Sequence, residues 1–291
     1  MMKPRFPWFS YLVVALGSIM MILPFLEMVF GSFKGPDEIN SADYQLLPNS
    51  FDFHNYAEVF ETLNMGLLFK NSIIVAVSVT VCVLLTSTLA GYALTKLHFP
   101  GRDTIFKFIL VTMMFPAFLF LIPNFYIIIH FPLAGGNDLF GEGGNGGLAA
   151  SIVSLILPFA VSGFGIFLMR QFIMNIPDAL LEAARIDGAS EFRIFWQIVV
   201  PITTPALVTL AIFTFISQWN EFIWAMLIFT VNDQLATLPV GIQMLQMTLD
   251  PTLTRALVSA GLTISVVPVF LVFLCLQRYY INGMVMSGVK E

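Results

Sequence analysis

One run of four residues, Gln218-Trp219-Asn220-Glu221, sets two amides, an indole and a carboxylate inside a long hydrophobic stretch. Such a group can hydrogen-bond hydroxyls and lie against the apolar face of a sugar ring. A charge within a bilayer costs roughly 2.5 to 3.5 kcal/mol on insertion scales, so Glu221 must face protein, water or a ligand. Two readings fit these residues: part of a translocation pathway, or polar contacts that hold neighbouring helices together. A second stretch, Glu182-Ala183-Ala184 followed by Gly188, Ile198 and Pro201, is polar and helix-forming between two hydrophobic runs. Its chemistry is recognition. His54, His98 and His130 are scattered along the chain, so neither a catalytic constellation nor a metal-ligand set is spelled out. No G-x-x-x-x-G-K-[ST] phosphate loop occurs. The segment Gly135 to Gly147 has seven glycines in thirteen residues, without the strand before it or the Lys after it that a phosphate cradle needs, and reads as flexible linker.

The elements that must position these residues are membrane helices. The chain has 291 residues, 58% hydrophobic and 11% charged, with 30 Phe, a composition that excludes a water-soluble domain of ordinary surface. Six stretches reach the length of ~20 apolar residues that a bilayer core requires. They are Phe9 to Gly31, Ser72 to Leu94, Ile105 to Ile129, Leu148 to Met169, Pro205 to Phe229 and Ala256 to Gln277, and their only carboxylates are Glu27 and Glu221. The expectation is an all-α integral membrane protein with six transmembrane helices in a single domain over residues 1–291. The first span is too long for a signal peptide and is read as retained. Cys82 and Cys275 lie within spans and imply no redox compartment. Pro24, Pro116, Pro123, Pro158 and Pro268 fall inside spans, where they either kink a pathway or are the ordinary prolines of membrane helices. No internal repeat and no matched pair of broken helices is visible.

Alternating the loops sorts the basic residues. Lys3, Arg5, Lys96, Arg102, Lys107, Arg170, Arg185, Arg193, Arg278 and Lys290 fall on one side, and only Lys34, Lys70 and Arg255 on the other. Basic loops stay cytoplasmic, so both termini are expected there. The net charge of -5 lies mainly in the outer loops, which argues against nucleic acid as a partner. The first outer loop, Ser32 to Asn71, is rich in aromatics and is either a small folded lid or a partly ordered connector.

The insert between the fourth and fifth spans, residues 170–204, is too long for a tight turn. Asn175 can cap a helix over Asp178 to Asp187, with Asp178 reaching back to the cap and Pro177 in the first turn. Gly188 can take the left-handed conformation that closes it, and Ser190 can cap a second helix with Glu191 in its first turn. There Phe192, Phe195, Trp196 and Val199 fall on one apolar face, Arg193 and Gln197 on the other, and the helix ends at Pro201. The pair forms a docking surface, with the alternative of an interfacial helix pair that has no partner.

At this point the residues reach a known family. Glu182-Ala183-Ala184, three intervening residues, Gly188, nine more, then Ile198 and Pro201 resemble the EAA motif of the membrane subunits of bacterial binding-protein-dependent ABC importers. IPDALLEAARIDGAS is close to the form found in carbohydrate importers, with Val200 where a Leu commonly precedes the proline. AGYALTKLHFPGR at Ala90 to Arg102 is similar to the loop after the second helix of that family, QWNEF at Gln218 to Phe222 to its fifth-helix signature, and the tail Gly288 to Glu291 to that of MalG-like subunits. The resemblance covers nearly the whole chain, with a core at 70–285, a coupling loop at 170–204 and a tail at 282–291. The long Gly135 to Gly147 loop departs from the family pattern.

The resemblance implies a permease subunit that catalyses nothing and binds no cofactor itself, the ATP and Mg being held by partner ATPases. It further implies a homologous MalF-like permease, two copies of a cytoplasmic ABC ATPase, an extracytoplasmic solute-binding protein and a carbohydrate, di- or oligosaccharide, as substrate. A polyol or glycerol phosphate remains an alternative. Glu182, Ala183, Ala184, Arg185, Asp187, Gly188 and Pro201 would couple to the ATPase, Gln218, Trp219, Asn220 and Glu221 would border the pathway, and Gly288 and Lys290 would reach the ATPase interface. By the same resemblance the loop Val231 to Arg255, with Leu238-Pro239-Val240-Gly241, would probe the docked binding protein; by its residues alone it is a polar connector. Two other classes compete: a secondary transporter driven by Glu221 as a proton-coupled carboxylate, and a membrane-embedded enzyme, for which no cluster of titratable groups exists.

Overall fold

A computed structural model describes residues 7–43, 45–248 and 251–288. Among the described residues every regular element is helical. Three helices are long and apolar enough to cross a membrane, Trp8–Gly31, Met65–Lys96 and Thr254–Cys275, and three bent pairs of helices reach that length and apolarity together. The helices containing the first and last of these are α1 (Pro7–Gly31) and α15 (Pro251–Gly288), and the second is α4 (Met65–Lys96). Two compact units arise, one of residues Met1–Gly66 with Leu238–Pro268, the other of Leu67–Thr237 with Val269–Glu291.

In the first unit α1 buries none of its most apolar window, and side chains such as Tyr11, Met20 and Phe25 stand out from the protein. Exposure of that kind suits a lipid-facing helix. Of the two readings of the first outer loop, the folded one holds. Helices α2 (Pro36–Ile39) and α3 (His54–Thr62) form within it. The buried Asn55 amide donates to the carbonyls of Ser32 and Lys34 at 2.8 and 2.9 Å, and Phe33 meets the rings of Phe51, Phe53 and Tyr56 within 5.5 Å. The predicted polar connector Val231 to Arg255 is instead largely helical: α14 (Leu238–Thr248) buries Leu238, Val240 and Leu245 completely. Leu238 and Leu245, seven residues apart, share one helical face while Val240 lies on the opposite one, so α14 is buried on two sides, and Pro239 sits in the first turn, where its missing N–H costs nothing.

In the second unit α4 is a 32-residue rod. Val75, Val79, Val83, Ser87 and Gly91 recur every fourth residue along it and are all buried. That seam meets α8 (Gly163–Met174) at very short range. A Cβ on Gly91 would stand 3.0 Å from the Arg170 nitrogen, and one on Gly165 would overlap the Ser87 hydroxyl. Small residues permit this approach, the usual basis of helix packing in lipid.

The bends fall where proline and glycine remove or loosen backbone bonds. The third span breaks by 94° between α5 (Arg102–Thr112) and Ala117–Ile129, at Pro116; the latter segment ends in α6 (Leu121–Ile129). The fourth breaks by 48° between Val153–Phe159, which begins with α7 (Val153–Ile156), and α8. Its freed Ala160 carbonyl accepts from the Thr86 hydroxyl at 3.1 Å, and Ser162 caps the restart by accepting from the Gly165 nitrogen at 3.0 Å. Pro24 and Pro268 lie within continuous helices. The predicted fifth span divides too, into α12 (Thr204–Trp219) and α13 (Ile223–Phe229), numbered after the helices of the insert described below. The last span does not stop near Gln277: the helix continues to Gly288.

Candidate coupling element and pathway residues

The insert folds into α9 (Asp178–Ile186), α10 (Glu191–Ile194), a π turn over Phe195–Val199 and α11 (Val200–Ile202). Helix α9 closes as the residues require. Gly188 has φ +79°, its N–H donates to the Arg185 carbonyl at 3.0 Å, and the Ala189 N–H donates to the Ala184 carbonyl at 3.0 Å. These two bonds are a Schellman motif, which satisfies carbonyls the helix end leaves free. Leu181 is the anchor, 1% exposed, while Glu182, Ala183, Arg185, Ile186 and Asp187 face outward, Ile186 at 87% exposure. Shallow alanines flanked by charge and an exposed isoleucine make a surface that another protein can close on.

The start of α9 differs from expectation. Asn175 does not cap it but closes α8, donating from its amide to the Gln171 carbonyl at 3.1 Å. Asp178 does not reach back either, because Lys96 at the end of α4 takes its carboxylate at 2.7 Å. That bond holds the Asp178 carboxyl below the usual carboxylate range. Ser190 does cap α10, accepting from the Arg193 nitrogen at 3.3 Å. The single apolar face predicted after it is not formed. The buried residues are Ile194, Phe195 and Val199, while Phe192 is 72% and Trp196 42% exposed. Pro201 cannot donate to the Gln197 carbonyl, and the turn before it widens to π, which rotates the face. Pro201 therefore sits within α11, and the helix ends at Ile202, before a 77° bend into α12.

Two side chains that the sequence reading did not single out bind this element. Tyr92, 4% exposed on α4, donates its hydroxyl to Glu191, which also accepts from Arg185 at 2.7 Å. Lys96, with a side chain 6% exposed, donates to the Ile176 carbonyl at 2.6 Å as well as to Asp178. The signal was present: Tyr92 and Lys96 are four residues apart in AGYALTK and share a helical face.

The four residues of QWNE run from the last turn of α12 into the break before α13 and are not gathered around one cavity. Trp219 is 1% exposed, stacked on Phe215 at 5.9 Å and tilted against Phe69 at 6.1 Å. Asn220 closes α12 by donating to the Ile216 carbonyl at 2.8 Å. Glu221 opens α13, its carboxylate accepting from the Trp224 nitrogen at 2.8 Å. A carboxylate at a helix N-terminus is stabilised by the free N–H groups and the helix dipole. Asn220 is exposed, and of the four Gln218 is the one that lines a cavity, of 450 Å³, together with Val79, Phe159, Ser162, Phe213, Thr214 and Ser217. Its Oε1 is buried and has no hydrogen-bond partner among the described residues.

The Gly135 to Gly147 loop is not a flexible linker but a tight fold. Asn137, 7% exposed, donates to the Ile129 and Phe131 carbonyls at 3.0 and 3.1 Å. The Asp138 carboxylate accepts from the nitrogens of Phe140 and Glu142 at 2.8 and 2.9 Å, and these bonds, Glu142's first, hold its pKa below the usual range. A Cβ on Gly141 would overlap the His130 carbonyl and one on Gly147 that of Ile129, so the glycines permit close backbone packing. Among the described residues no three His, Cys, Asp or Glu side chains converge as a metal centre requires. Gly288 ends α15, and Lys290 lies outside the described residues.

Known proteins share this fold. A profile of the family described as binding-protein-dependent transport system inner membrane component matches residues 83–285. The diacetylchitobiose uptake system permease protein NgcG of Streptomyces coelicolor is 32% identical over 284 residues, covering 98% of this chain and 89% of that one. The sn-glycerol-3-phosphate transport system permease protein UgpE of Yersinia pestis is 30% identical over 285 residues, 96% of each chain. The fold matches a crystal structure of a bacterial ABC transporter involved in the import of the acidic polysaccharide alginate, with a TM-score of 0.79, 22% identity and coverage of 96% of this chain and 99% of that one. The matched profile covers the close Ser87 and Gly91 contacts between α4 and α8, the whole insert and the α12–α13 break, and the chain belongs to the family of inner membrane components of binding-protein-dependent transport systems.

Proposed function

We propose that this chain is one permease subunit of an ATP-driven importer, paired with a homologous permease, served by a solute-binding protein and driven by two cytoplasmic ABC ATPases that hold the ATP and Mg. The observation that carries the reading is α9, a Schellman-closed helix anchored by one buried leucine that turns Glu182, Ala183 and Ile186 outward. In this reading the surface seats in the ATPase, both termini are cytoplasmic, and six spans cross the inner membrane, the third to fifth of them broken. The tail from Gly288 through Lys290 is assigned to the same interface. A carbohydrate, di- or oligosaccharide, is the cargo class supported by the diacetylchitobiose relative. Glycerol phosphate is the second reading, favoured by the relative that carries it. The pathway is placed at Gln218, where an unpaired amide oxygen, Ser162, Thr214 and Ser217 offer hydrogen bonds beside Phe159 and Phe213. Trp219, Asn220 and Glu221 shape that end of the helix from behind.

The test places bulk and charge on the outward face of α9. Ala183→Arg with Ile186→Asp touches no buried residue, so the chain should still insert while its co-purification with the ATPase falls at least tenfold. Undiminished co-purification, or solute uptake in proteoliposomes without ATP, would sink the proposal.

A further inference from the structure

The chain leaves the coupling element through bends on both sides. Before it, α8 joins the rest of its span across a 48° break, and after it α11 meets α12 at 77°. A push on α9 that travelled along the chain would be spent at these joints, because a bend absorbs displacement by rotating. Helix α4 has no such joint. Its 32 residues run unbroken for ~48 Å at 1.5 Å per residue, longer than a bilayer core is thick.

The same helix grips the element at both ends. Lys96 holds the residues that open α9, the Ile176 carbonyl and the Asp178 carboxylate. One turn earlier Tyr92 holds Glu191, which also binds Arg185 in the last turn of α9, while the Tyr92 ring packs on Phe195 at 5.7 Å. Both grips come from buried side chains, and a buried ammonium that loses its partners is costly, so Lys96 stays bound while the element moves. Between the grips and the middle of the helix, the Gly91 and Ser87 contacts press α4 onto α8 without room to slide.

We infer that α4 is the lever of this permease, and that Tyr92 and Lys96 are the positioning residues that pass displacement of α9 into it. This rests on the reading of α9 as the ATPase-facing element. The phenol and the ammonium act through Glu191 and Asp178 and touch neither nucleotide nor cargo.

The test is made on the assembled transporter in proteoliposomes, with Tyr92→Phe, Lys96→Met and the pair together. Tyr92→Phe removes one oxygen and keeps the ring, so it folds even if the pair does not. The expected result is normal co-purification with the ATPase, ATP hydrolysis still stimulated by the loaded binding protein, and solute transported per ATP reduced about threefold by Tyr92→Phe and tenfold or more by the pair. Lys96→Arg, which keeps charge and donors, should restore most of the ratio. An unchanged ratio in the pair would overturn the role of α4, as would a loss of ATPase binding in Tyr92→Phe and Lys96→Met alike, since the grips would then build the docking surface and carry no force. Failure of the wild-type chain to bind the ATPase would instead overturn the reading of α9 itself.

Discussion

Glu221 shows how a residue that invites a chemical role can have a conformational one. Its carboxylate accepts from the Trp224 nitrogen and so starts α13 where α12 has ended. Its removal should therefore cost what a cap costs, about 1 kcal/mol. Glu221→Ala is expected to lower the thermal midpoint of the detergent-solubilised transporter by a few degrees, Glu221→Gln by less, with the KM for solute unchanged in both. Gln218→Ala, whose amide borders the cavity, should raise the KM and leave the midpoint where it was. A KM effect at Glu221 equal to that at Gln218 would return the carboxylate to the pathway. Trp224 completes the local arrangement by donating its indole N–H to the Ser154 carbonyl at 2.9 Å, which ties α13 to α7.

At the scale of elements, the glycine-rich loop corrects a compositional habit. Seven glycines in thirteen residues resemble a linker by count, yet most of them lie where the backbone runs against itself. Two positions separate strain from collision. Gly143 has φ +82° and open space for 4 Å around the place a Cβ would take, so Gly143→Ala should cost only the left-handed backbone, about 1 to 2 kcal/mol. Gly141→Ala adds an overlap with the His130 carbonyl that no side-chain rotation relieves. Limited proteolysis should therefore cut between residues 131 and 147 much faster in Gly141→Ala than in Gly143→Ala or the parent. Equal rates in all three would mean that the loop is loose after all. The insert was more legible. Its glycine closure and its Ser190 cap follow from local rules that depend on a few neighbouring residues. Its apolar face did not follow: the turn over Phe195–Val199 is π and not α, and Phe192 and Trp196 stand exposed.

Over the whole molecule, function depends on which loops share a side of the bilayer. As an inner membrane component of a binding-protein-dependent system, the chain works with a solute-binding protein and other subunits. A cysteine at Asp187 should react with a membrane-impermeant maleimide only in inverted vesicles, and one at Glu142 only in right-side-out vesicles, both in a background lacking Cys82 and Cys275. Labelling of both sites from one side would refute the orientation. The sequence by itself determined the membrane class, the approximate place of each hydrophobic span and the motif of the insert, because these depend on composition and on short-range spacing. Only the tertiary structure decided that three of the apolar helix pairs are sharply bent, that Gln218 lines a cavity that Trp219 and Glu221 do not, and that Tyr92 and Lys96 clasp residues about eighty to a hundred positions away. Those outcomes rest on which carbonyls a bend frees and which buried donors lie within reach of them, and no local run of residues encodes such distances.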